Sequence, residues 1–142
     1  MTLFFLRLFS HFPFAVLHAC SGLLARVASD LVGYRRPVIR GNIERSFPER
    51  SEAEHRQIER LYYRHFADIT LESIKNFSIS DEEARSRMGH KRVEVFEPFF
   101  RAGRSVLIAG GHFNNWELYA MTANQNVLHD VMAVYKLSLI HI

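Results

Sequence analysis

From residue 8 to residue 25 the chain runs 18 residues without a formal charge, LFSHFPFAVLHACSGLLA, flanked by Arg7 and Arg26. That is close to the roughly 20 apolar residues that cross a bilayer core, so the pattern predicts a membrane helix. Ser10, His11, Pro13, His18 and Ser21 lower its hydropathy. A helix lying in the interface, anchored by Phe4, Phe5, Phe9, Phe12 and Phe14, is the alternative. A cleaved signal peptide fits poorly, because no small-x-small site is cleanly presented between residues 15 and 25.

Beyond this segment the apolar positions become periodic. Residues 34–51 hold Pro37, Gly41 and Pro48 among five arginines. They read as a connector on a membrane surface, with one short helix over residues 38–47. Ser51 and Glu54 form a capping box, after which Ile58, Tyr62, Phe66, Ile69 and Ser73 recur at helical intervals to Lys75. Ser80 and Glu83 repeat the capping signal ahead of a short helix ending near Met88. Val93 and Val95 predict a brief strand, and residues 97–102 a short helix that Gly103 ends.

The run Val106, Leu107, Ile108, Ala109 sits between Gly103 and the pair Gly110–Gly111, the pattern of a buried strand. The glycine pair is read as the sharp turn that follows, leaving room for a substrate. Asn114 is the expected N-cap of a helix beginning at Trp116, and residues 131–135 read as the next strand. The order strand, helix, strand, helix, strand predicts an α/β fold, a mainly parallel sheet covered by helices.

Composition narrows the function classes. Of 142 residues, 48% are apolar and 23% charged, which is a folded chain rather than a disordered one. The single cysteine, Cys20, cannot form an intrachain disulfide. A formal net charge of +3 without a lysine-rich tail, a zinc-finger spacing or an aromatic-interleaved basic strand argues against nucleic acid. Arginines following an apolar segment suit an anionic membrane surface instead. Arg26, Arg35, Arg36, Arg40 and Arg45 lie after the segment and Arg7 alone before it, so the positive-inside rule places the rest of the chain in the cytoplasm.

The chemistry concentrates in GGHFNNWEL, residues 110–118. His112 is expected at the turn, and Glu117 five residues later in the first turn of the helix, where it can reach back. A histidine accepts a proton from an attacking hydroxyl through one ring nitrogen. A carboxylate on the other nitrogen fixes the tautomer and stabilises the imidazolium. The spacing alone is a weak signal and more often describes a turn histidine beside a solvated acid that suits the helix dipole. A zinc pair fits less well, since helical ligand pairs are spaced by three or four and no third ligand is evident. No metal and no cofactor is expected.

The block GGHFNNWEL, the preceding SVLIA and the earlier YRRPVIRGNIERSFPERS together resemble the bacterial lipid A biosynthesis acyltransferase family, the late acyltransferases, from the N-terminus to about Tyr135. The resemblance implies that His112 is the general base and Glu117 its orienting partner. It also implies a fatty acyl group moving from a thioester, acyl carrier protein or acyl-CoA, to a hydroxyl of a lipid A precursor at the inner membrane, with the catalytic side cytoplasmic. The domain plan that follows is a membrane-anchoring helix over residues 1–33, a connector over 34–50, and the first part of a glycerolipid-acyltransferase-like α/β domain over 51–136. The ending LSLIHI departs from the family pattern. Residues 137–142 are expected to be non-native and the domain truncated, so that the 142 residues alone are inactive. The alternatives are a glycerolipid acyltransferase, which often carries aspartate where Glu117 stands, and a membrane-anchored fragment without catalysis.

Overall fold

The computed structural model describes residues 2–132. The chain divides into two compact units, Met1–Ile79 and Ser80–Ile142. Among the described residues both are helical and neither contains a strand.

In the first unit, α1 (Thr2–Ser10), α2 (Phe14–Arg26, continued by a π-helical turn over Val27–Leu31) and α3 (Arg36–Ser46) all pack on α4 (Glu52–Lys75). The contacts run antiparallel in register. The Ser78 hydroxyl donates to the Ser10 carbonyl at 2.7 Å, and the Lys75 ammonium to the Phe12 carbonyl at 3.2 Å. Next, His18 meets Glu72 at 3.2 Å and Ser21 bonds Asp68. The Tyr63 hydroxyl then donates to the Tyr34 carbonyl at 2.8 Å, and Arg36 to Glu59 at 2.7 Å. Tyr63, Ile39 and Ile43 form the core, with Ala28 and Ile58 packed against them. Burial and the neighbouring Glu59 carboxylate push the Tyr63 phenol up, which keeps it protonated as a donor.

The uncharged segment 8–25 is not one helix. It breaks at residues 11–13, because proline lacks an amide hydrogen and drives the residue before it out of the helical region. Among the described residues the one helix long and apolar enough to cross a membrane is Phe14–Leu31, displaced toward the C-terminus. The buried stripe of α4 also differs from the predicted one. It consists of His55, Glu59, Tyr63, Ala67, Leu71 and Lys75, four residues apart, whereas Tyr62 of the expected stripe is exposed. Small Ala67 admits close approach, and the polar members find partners: His55 Nε2 meets the Phe47 carbonyl at 2.8 Å, and Glu59 meets Arg36. Buried polar groups with partners cost little, so composition alone misplaces this face.

The capping box is formed as expected. Glu54 accepts from the Ser51 amide at 2.8 Å and the Ser51 hydroxyl accepts from the Glu54 amide at 3.4 Å. Bonds from Arg50 above all, then from the Ser51 amide and hydroxyl, lower the Glu54 carboxyl to about 2 from 4.5. A carboxyl depressed in the folded state contributes stability that is complete above its unfolded value and lost as pH falls through its folded one. The first turn of α4 is therefore expected to fray as pH falls from about 4.5 toward about 2. Cα chemical shifts at residues 52–55 moving toward coil values over that range would show it, and unchanged shifts would count against the capping geometry.

The second unit contains α5 (Asp81–Arg87), a 3-10 turn over Val93–Phe96, α6 (Glu97–Arg101) and α7 (Trp116–Ala123). The Ser80 hydroxyl caps α5 by accepting from the Glu83 amide, and Gly103 ends α6 in the left-handed region at φ 64°. The α/β expectation is overturned here. Val93 and Val95 belong to the 3-10 turn, and residues 106–109 have no regular secondary structure and no strand partner among the described residues, with Leu107 91% exposed. Of the expected strand 131–135, Val131 and Met132 are irregular and the rest lies outside the described residues, as does the tail 137–142. Strand preference reflects packing against neighbouring strands more than any intrinsic backbone choice. An apolar run that meets no ladder partner does not become a strand.

Candidate active site

The helix that carries Glu117 is held by its own buried face. Leu118 and Thr122 are buried, and the Thr122 hydroxyl donates to the Leu118 carbonyl at 3.0 Å. That hydroxyl has a single hydrogen, so His90 Nε2, 2.8 Å away, is the donor of their bond. The His90 ring also stacks on Tyr119 at 4.5 Å, and burial pushes its pKa down, which favours the neutral ring. No sequence signal marks His90 for this role, since a lone histidine between two short elements has no periodic context.

The N-cap of α7 is Asn115, whose Oδ1 accepts from the Leu118 amide at 3.1 Å, one residue later than expected. Asn114 instead takes the left-handed region at φ 54°, where asparagine is enriched among non-glycine residues. The sharp turn into the helix is thus made at Asn114, and neither Gly110 nor Gly111 has a positive φ. Open space surrounds that pair, since a Cβ on either would meet no atom within 4 Å.

His112 is exposed on this loop, its ring set edge-on to Trp116 with centroids 4.4 Å apart. Glu117 follows in the first turn of α7, also exposed, where the helix dipole favours a carboxylate. The fold brings His112 to the N-terminal end of the helix bearing Glu117, but no hydrogen bond or ion pair joins the two. Upstream, Arg104 lies over the Phe99 ring at 5.7 Å, and its carbonyl accepts from His129 Nε2 at 3.1 Å. The His129 bond ties the two ends of residues 104–129 together. Among the described residues no group of three or more His, Cys, Asp or Glu side chains converges to hold a metal ion.

A family model described as bacterial lipid A biosynthesis acyltransferase matches residues 1–139, nearly the whole chain and both site residues. The chain belongs to this family. The match includes residues 137–139 of the tail. No curated protein and no solved structure matches the chain. Membership makes it an acyltransferase-family protein of bacterial lipid A biosynthesis, a family whose chemistry implies a lipid acceptor and an acyl donor.

Proposed function

We propose that this member of the family moves a fatty acyl group from an acyl thioester, acyl carrier protein or acyl-CoA, to a hydroxyl of a lipid A precursor, with His112 as general base and Glu117 as its orienting partner. His112 takes the hydroxyl proton as the oxygen attacks the thioester carbonyl. The C–S bond then breaks, and the leaving thiolate recovers the proton from the imidazolium. The new ester forms directly, without an acyl-enzyme. Glu117, on the other ring nitrogen, sets the tautomer and stabilises the cation. The observation supporting this reading is the placement of an unbonded histidine on an open loop at the start of the helix whose first turn holds the only nearby acid of the motif. The test is substitution of each residue in the chromosomal gene, with acyl transfer as the readout.

We also infer that the N-terminal unit attaches to the inner membrane by lying in the interface rather than crossing it, on the cytoplasmic leaflet. Leu3, Phe4, Phe5 and Leu8 of α1, Phe12 of the break between the helices and Leu23 of α2 are exposed and provide the apolar area. The other side of these helices is bonded to Asp68, Glu72 and Lys75 of α4, which also carries exposed Arg60 and Arg64. Carrying α2 across a bilayer with α4 beside it would place those charges in hydrocarbon, at about 2.5–3.5 kcal/mol for each at the centre even on translocon scales. Arg35, Arg36, Arg40 and Arg45 support the anionic cytoplasmic side. Alkaline carbonate is expected to release the protein from membranes into the supernatant. Retention in the pellet would show a span and overturn the interfacial reading.

A further inference from the structure

In the first unit a cleft of about 300 Å³ opens where α3, α4 and the π-helical end of the apolar segment meet. Arg36 and Arg40 enter from α3, Arg56 and Arg60 from α4, and Ser29 and Asp30 from the π turn. Each arginine pair is spaced by four residues, which puts both members on one face of their helix. Glu59, buried on the cleft floor, accepts from Arg36 Nε and lies 3.8 Å from Arg40 Nε. Glu52 bonds Arg40 and Arg56 from the rim.

These carboxylates hold three guanidinium planes in place without exhausting them. Each guanidinium carries five N–H donors, and the ion pairs of Arg36, Arg40 and Arg56 occupy a minority. Arg60 has no carboxylate within ion-pairing distance among the described residues. Four guanidinium groups face the carboxylates of Asp30, Glu52 and Glu59, so the cleft keeps one positive charge in excess. A purely structural clamp between α3 and α4 would need neither that excess nor an unpaired fourth arginine on the same face.

We propose that this cleft binds a phosphate monoester presented by a lipid headgroup. Convergent guanidinium forks match the tetrahedral oxygens of a phosphate. The cleft lies at the C-terminal end of the apolar segment, where a bilayer contacting the exposed α1 and α2 residues would offer its headgroups. The headgroup source rests on the interfacial reading above, so binding to phosphatidylcholine vesicles is measured first, as a separate test of the apolar face.

The experiment is flotation of the intact protein with phosphatidylcholine vesicles containing a minor fraction of phosphatidic acid, or of phosphatidylglycerol matched for surface charge. Binding is expected to be tighter with phosphatidic acid, whose phosphate is a monoester. Arg60→Gln should weaken that binding about fivefold, the worth of one basic residue at a charged surface. Arg60→Lys should recover part of the loss, because the charge returns without the fork. Inorganic phosphate should compete with the phosphatidic acid vesicles. Equal binding to the two charge-matched vesicles would overturn the proposal in favour of general surface electrostatics. So would an Arg60→Gln variant, with unchanged circular dichroism, that binds phosphatidic acid as the parent does. Arg60-dependent binding of inorganic phosphate that leaves vesicle binding undisturbed would overturn the lipid source.

Discussion

Replacing His112 with alanine is expected to lower kcat/KM for acyl transfer by about two to four orders of magnitude, the usual contribution of a positioned general base. In barrier terms that is about 2.7–5.5 kcal/mol. The side chain is exposed and touches only Trp116 among described ring partners, so its removal leaves no buried cavity and should not unfold the unit. Glu117→Ala should cost less, because the imidazole survives without its orienter, and the two losses should not add in the double variant. Glu117→Gln is expected to resemble Glu117→Ala, since an amide cannot stabilise the imidazolium as a carboxylate does. Turnover is measured on protein isolated from membranes of cells carrying each substitution in the chromosomal gene. Equal and additive losses at both positions would indicate independent binding roles rather than a base and its partner.

The second large effect is on stability. Tyr63 is 1% exposed, packs against Ile39 and Ile43, and bonds the Tyr34 carbonyl. Tyr63→Ala is expected to destabilise the N-terminal unit by about 3–5 kcal/mol, the range for deleting a buried aromatic side chain. Tyr63→Phe keeps the ring but leaves the Tyr34 carbonyl without its donor, at about 0.5–1.5 kcal/mol. Denaturant unfolding in mild detergent separates the two. A Tyr63→Ala cost no larger than that of Tyr63→Phe would mean that α3 and α4 are not held together at this residue. The same variant should disturb the arginine cleft, because Tyr63 lines its floor beside Glu59.

Features whose cause is local were legible in the sequence. Ser51 with Glu54, Ser80 with Glu83, and Gly103 after α6 all act within a single turn, and each is found where the residue types point. The asparagine pair marked the start of α7, but the cap expected at Asn114 is made by Asn115, and Asn114 makes the turn expected of the glycine pair. One takes the left-handed turn and the next caps, and both suit either task. Features that depend on distant partners were not legible. Residues 106–109 have the composition of a strand, yet a strand exists only where another pairs with it. The buried face of α4 includes Glu59 and Lys75 because Arg36 and the Phe12 carbonyl come to meet them, and nothing within α4 announces those partners. At the site, the spacing placed His112 and Glu117 at the two ends of one loop-to-helix junction. The edge-on contact of His112 with Trp116 is not encoded in the spacing of the motif.

The central claim, that His112 is the base for acylating a lipid A precursor, meets its most direct test in the lipid A of the host. Lipid A is extracted from cells carrying His112→Ala in the chromosomal gene and its mass compared with that from the parent strain, with protein abundance checked by immunoblot. The predicted result is lipid A lighter by one acyl group, with the precursor lacking that acyl group accumulating while the protein is present at parental levels. Lipid A of unchanged mass and abundance in that strain would contradict the assignment.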